Sequence, residues 1–283
     1  MILTDYFNSF KEFMALVPGV DVSLNFDILN SSAVSAKKQM TTIIPESVWN
    51  VCNKEPSKTY LMTALANLTM AKEVPYDTLR KRKANIDVYK SEQEAVTRGY
   101  IDGYLCAMDS LINQLDTDKP DPWKDTNYYK MREKLVIKDT ETFDSFYPID
   151  MSYLFFFRCI PLQKEVISLK TGDLLAQIEN KKDDLLTDKL TRCIVLYTIV
   201  LALRRFDIAE FPSTIRSLFI EQKSQRQGSD DQNRIIQLAE DLSAQANDII
   251  QNIQLVLEEH TQDINVETQT SFNQPEDGIF LMP

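Results

Sequence analysis

Residues 193–203 read Cys-Ile-Val-Leu-Tyr-Thr-Ile-Val-Leu-Ala-Leu and stand between Arg192 and Arg204. A membrane-spanning helix needs about 20 apolar residues, so this run of 11 is predicted to be a core element. Upstream, Leu185, Leu186 and Leu190 continue the apolar character. Together they make a helix that is apolar almost all round, the pattern of a central, buried helix.

Working outward, an earlier stretch follows the same plan. Tyr60, Leu61, Ala64, Leu65 and Leu68, with Met62 and Met70, predict another apolar helix. Glu73-Val74-Pro75 follows it, as Glu210-Phe211-Pro212 follows the first. Such a step is expected to stop a helix, because proline pushes the preceding residue out of the αR region. Thr78-Leu79-Arg80 then matches Thr214-Ile215-Arg216, and Tyr60 matches Tyr197. Phe7-Asn8-Ser9-Phe10 recurs as Phe143-Asp144-Ser145-Phe146, and Asp109-Ser110-Leu111-Ile112 sits against Asp248-Ile249-Ile250. The offsets, 136 to 139, are nearly constant.

Repeats at a fixed spacing define architecture. The expected fold is therefore mainly α: two tandem, diverged helical-bundle modules at 1–115 and 140–260. A proline-containing linker, 116–139, joins them, and a C-terminal tail occupies 261–283. Each module opens on an aromatic helical segment, Tyr6 to Leu16 and Phe143 to Ile160. Ser57 and Thr187 are candidate N-caps. Ile86 with Val88, and Leu218 with Ile220, show two-residue alternation and predict short strands or extended arms. Long amphipathic helices close the modules, Ser91 to Leu115 and Asp230 to Glu259. In the linker, Lys119-Pro120-Asp121-Pro122-Trp123 breaks helix. Its Trp123, Tyr128 and Tyr129 suggest that it packs on something.

Composition narrows the chemistry. Six glycines and one histidine, His260, in 283 residues disfavour a glycine-rich phosphate cradle and a multi-histidine metal site. Neither G-x-G-x-x-G nor G-x-S-x-G occurs. Cys52, Cys106, Cys159 and Cys193 form no CxxC pair and read as buried free thiols. The acidic pairs Asp183-Asp184, Asp230-Asp231 and Glu258-Glu259 suit helix starts and solvated faces, and His260 suits the end of the last helix. Gly99, Gly103 and Ala107 form a small-residue row for close helix packing. The expectation is a non-enzymatic chain without catalytic residues, cofactor or metal. The start, MILTDYFNSFKEF, does not read as a signal peptide, and a soluble, cytosolic chain is expected. A formal charge of −11 repels nucleic acid over most of the surface.

Two features remain as candidate partner-binding sites. Arg80, Lys81, Arg82 and Lys83 form a dense basic cluster, suited to phosphates, to an acidic face of a neighbouring subunit, or to a solvated loop after a helix. Ile279, Phe280, Leu281 and Met282 form an apolar tip after a polar stretch. Such a tip docks into a partner's groove or sheet edge, packs back on its own chain, or is a disordered end.

The stretches Tyr60 to Pro75 and Tyr197 to Pro212, the two closing helices and the Ile279–Met282 tip together resemble the head–tail connector (adaptor-ring) proteins of tailed bacteriophages. The likeness is in particular to a duplicated form in phages of gut Bacteroidetes, such as the crAss-like group. A usual connector has one module; two are a departure that leaves ring geometry open. The resemblance implies a structural virion protein, assembled in the bacterial host cytoplasm. It would form a homo-oligomeric ring between the portal protein and tail or other ring proteins, with no membrane contact. DNA would pass through its lumen without sequence-specific binding. The alternative is a non-viral helical adaptor or scaffold that holds a partner peptide or helix.

Overall fold

The protein is represented by a computed structural model that describes residues 2–21, 24–220 and 229–266. These residues are mainly α-helical, and no strand occurs among them. In chain order the helices are Phe10–Leu16 (α1), Phe26–Met40 (α2), Glu46–Trp49 (α3), Ser57–Lys83 (α4) and Lys90–Asp118 (α5). Then come Asp121–Lys124 (α6), Asn127–Arg132 (α7), Thr140–Phe146 (α8) and Tyr153–Val166 (α9). Gly172–Lys181 (α10), Asp184–Arg205 (α11), Ser213–Ile220 (α12) and Ser229–Val266 (α13) complete the series. A π-helical stretch, Ile167–Thr171, leads from α9 to α10, and a 3₁₀ turn, Ile208–Glu210, precedes α12.

The main packing seams are α4 on α5, α11 on α13, α2 on α4 and α9 on α11, with α5 also against α9. In α11, Cys193, Ile194, Val195 and Ile199 are fully buried, as the quoted run predicts. Ala239, Leu242, Ala246, Ile253 and Leu257 of α13 recur at helical spacing and are buried, supplying the stripe that covers α11. Gly103 lets α5 approach α4. A Cβ there would meet the Asn67 side-chain oxygen at 2.5 Å, and that amide is fixed by a 2.9 Å bond to the Thr63 carbonyl. Ala107 is buried in the same row, whereas Gly99 is exposed and faces open space.

Several sequence expectations are corrected. Pro75 does not end its helix: α4 runs through it to Lys83. Val74 just before the proline and Thr78 one turn beyond it are both buried, so packing on either side offsets the missing hydrogen bond. An ion pair of 2.8 Å from Arg80 to the buried Glu73 spans the proline and ties its two sides together. In the second case α11 ends at Arg205, before Glu210-Phe211-Pro212 is reached. Ile86 to Tyr89 is an extended connection with no strand partner, and Leu218 lies inside α12, since two apolar residues two apart also fit a helix. The N-cap of α11 is Asp183, whose side chain accepts from the Leu186 N–H at 3.0 Å, and Thr187 is one turn inside. Ser57 is the first residue of α4 and makes no cap bond.

The stretch 116–139 holds the end of α5 followed by α6 and α7, with Trp123 fully buried. Its indole N–H donates to Asp116 at 2.8 Å and its ring stacks on Phe157 at 5.1 Å between centroids. The Phe7-Asn8-Ser9-Phe10 segment leads into α1, with Ser9 as N-cap, while Phe143 to Phe146 ends α8. Helix α13 continues to Val266, so His260 lies within it rather than after it. Three cysteines are buried as expected, but Cys106 is exposed. Among the described residues, no helix is long and apolar enough to cross a membrane.

Candidate functional site

The last turns of α4, the connection after it and the first turns of α5 form a largely exposed hairpin arm. Between Pro75 and Gly99 Thr78 alone is buried. The arm nevertheless exposes large apolar side chains: Tyr76 (55 %), Leu79 (55 %), Ile86 (54 %), Tyr89 (69 %) and Val96 (48 %). Tyr76, Leu79 and Lys83 follow helical spacing and share one stripe of α4. Scattered single exposed hydrophobics are ordinary, but a cluster of them on one exposed hairpin marks a contact surface.

The basic cluster is part of this arm. Arg80, Lys81, Arg82 and Lys83 form the last turn of α4, not a loop after it, where cations meet the negative end of the helix dipole. Their roles divide. Arg80 is held by Glu73 at 2.8 Å and by Asp77 at 3.5 Å. Glu73 also accepts from the Ser32 hydroxyl at 2.5 Å. Lys81 pairs with Asp77 at 2.7 Å, an ion pair whose hydrogen bond raises the lysine pKa. Arg82 and Lys83 make no ion pair with any described residue, and both are exposed. The chain from 76 to 98 carries six basic and four acidic residues, net +2, whereas the remainder carries 25 and 38, net −13. On α13, the exposed residues include Glu240, Asp241, Asp248 and Glu258. The arm thus presents free cations and apolar side chains on a chain whose remainder is net acidic.

The other candidate site residues, Ile279, Phe280, Leu281 and Met282, lie outside the described residues. Two clefts escaped the sequence reading, because each assembles residues far apart in the chain. One, of about 480 Å³, gathers Lys130, Lys134 and Lys164 round Met131, Leu135 and Ile167. The other, of about 440 Å³, lies between α5, the α8–α9 connection and α12. Two of its carboxylates serve as helix caps. Asp109 accepts from the Leu154 N–H at 2.8 Å and the Ser152 hydroxyl at 3.1 Å, at the start of α9. Burial pushes its pKa up to about 6, against the effect of those bonds. Asp150 accepts from the Thr214 N–H and the Ser213 hydroxyl, each at 2.8 Å, at the start of α12. Burial raises its pKa, but the bonds outweigh that and leave it below the ordinary range. Arg216 closes the cleft with a 2.6 Å bond to Asp102.

Among the described residues, no cluster of three or more histidine, cysteine or acidic side chains is arranged to hold a metal. Burial pushes the Cys52 thiol up to about 11 and the Cys193 thiol up to about 12, and raises Cys159 further, so these three are poor nucleophiles. No family model, curated protein sequence or solved structure matches the chain.

Proposed function

We propose that this chain is a non-enzymatic structural protein that assembles head-to-tail through the α4–α5 arm, in the manner of a phage head–tail connector ring. The exposed arm carries the reading. Its apolar residues and the free Arg82 and Lys83 complement an acidic surface such as α13 of a second copy. An arm on one side and an acceptor on another make a heterologous interface, which closes into a ring when its rotation divides the circle. In that role the ring joins portal to tail within the virion, and the net negative charge keeps passing DNA from sticking. The Ile279–Met282 tip would then lock into an adjacent ring or tail protein.

Sedimentation velocity on the whole chain tests this. A discrete oligomer is expected at about 0.05 M salt, dissociating as salt rises to about 0.5 M and screens the charges. Replacing Arg82 and Lys83 by glutamate, with Arg80 kept, should shift the protein to monomer while leaving its circular dichroism intact. An oligomer that ignores both treatments, or a wild type that is monomeric throughout, defeats arm-mediated self-assembly.

A groove of about 330 Å³ supports the second reading, a non-viral adaptor. Leu24, Met70, Val74, Ile86 and Val96 line it between the arm and the segment before α2. An apolar groove of this kind accepts a partner helix or peptide. A monomer that captures one defined peptide there favours the adaptor.

A further inference from the structure

Where α2, α4, α5 and α9 meet the 3₁₀ turn before α12, the fold leaves a cavity of about 180 Å³. Its walls are apolar: Leu68, Ala71, Ile101, Leu105 and Leu154. Set into them are donors that the protein does not use. Lys72 makes no ion pair and no hydrogen bond with any described residue, although it is only partly exposed. Burial holds its pKa below the usual lysine range. Tyr104 is 6 % exposed, and its hydroxyl finds no hydrogen-bond partner among the described residues. Burial raises its pKa, so the phenol stays protonated and able to donate. Gln39 adds an exposed side-chain amide at the cavity edge.

Charge decides what such a space would take. The charged residues of the lining are Lys72, Arg158 and Glu210. Arg158 and Glu210 pair with each other, and Glu210 also accepts from the Asp207 N–H at 3.4 Å. That leaves Lys72 as one uncompensated positive charge in a lining that also holds the idle Tyr104 hydroxyl. A partly desolvated charge without a partner carries some of the cost of a buried one, and in a chain of net charge −11 an anion in the cavity would offset it.

The geometry points to a binding site for a small monocarboxylate with a short apolar body, the carboxylate on Lys72 and Tyr104 and the body against Leu68, Ile101 and Leu154. The proposal concerns a ligand inside the bundle and is independent of how the chain assembles. One negative charge matches the single unpaired cation, and charge-assisted bonds to a carboxylate are about twice as strong as neutral ones. The volume suits a ligand of roughly nine non-hydrogen atoms, which can reach a Kd of about 1 mM or tighter.

Benzoate and hexanoate, with benzamide and hexanamide as uncharged counterparts, are the probes, titrated into the full chain and followed by protein-observed NMR. Saturable shifts are expected for both acids, with each amide at least about tenfold weaker. Lys72→Met should lose acid binding by a similar factor. The same change removes an unpaired, partly desolvated cation, so its melting temperature without ligand should match or exceed that of the wild type. Tyr104→Phe should weaken the acids severalfold. Absence of saturable binding overturns the site, as does equal binding of acid and amide, or unchanged acid binding in Lys72→Met. Each readout is independent of salt-dependent sedimentation, so this site and the assembly reading fail separately.

Discussion

At the scale of single residues, Asp109 shows how one side chain holds the molecule together while carrying a cost. It caps α9 from α5, and burial raises its pKa from 3.8 to about 6. A raised carboxylate is neutral in both folded and unfolded chains below about pH 4, so no penalty exists there. As pH climbs through 6 the folded state must hold a charge that the unfolded state carries freely. Two pH units at about 1.4 kcal/mol each make a cost of roughly 3 kcal/mol, complete above pH 6. An asparagine in its place would keep an oxygen to accept from Leu154 and Ser152, without the charge. Asp109→Asn should therefore exceed the wild type in stability at pH 7.5, with the difference shrinking steadily toward pH 4. Urea unfolding of both proteins at several pH values measures it. A constant difference, or a less stable variant at pH 7.5, counts against the buried charge.

Elements were legible where packing is one-sided or complete, and misread where tertiary contacts override a local rule. Helix α11 announced itself because nearly all its faces are covered, and α5 and α13 because their apolar stripes keep helical spacing. The end of α4 was misplaced because the Glu73–Arg80 pair and the buried Val74 and Thr78 lie outside what a proline rule considers. The linker's prolines do break helix, at Lys119, but nothing local says that Trp123 will find Asp116 and Phe157. For the candidate site, the basic cluster was visible, yet the split between a structural Arg80 and free Arg82 and Lys83 depends on Glu73 being buried beside it. The small-residue row of α5 was read as packing, and only part of it is. Gly103→Ala would force the Asn67 amide to move, at about 1–3 kcal/mol, against about 1 kcal/mol gained in helix propensity. Gly99→Ala meets nothing within 4 Å and should stabilise by about 0.5–1 kcal/mol. Paired thermal melts check this; if both changes move the melting temperature the same way, Gly103 does not set the α4–α5 distance.

For the whole molecule, the contacts that join early and late elements are as specific as those within either. Asp109 of α5 caps α9, Asp102 of α5 holds Arg216 of α12, and Trp123 stacks on Phe157 of α9. Elements joined through buried caps and stacked rings lose those partners together, so one cooperative unfolding transition is expected from the described bundle. The chain carries its own probes. Its two tryptophans, Trp49 in α3 and Trp123 in α6, are both buried, on helices that are far apart in the chain but touch each other. Trp49→Phe leaves fluorescence that reports on the junction, and Trp123→Phe leaves fluorescence that reports on the early helices. Within each variant, the fluorescence midpoint in urea should coincide with the midpoint from far-ultraviolet circular dichroism, which follows all helices at once. Replacing either tryptophan lowers stability, but it moves both curves of that variant equally when the bundle unfolds as one. A Trp49 signal that is lost well before the bulk of the helix would show instead that the early helices melt independently, and that the α5–α9 and α5–α12 contacts couple the two parts only weakly.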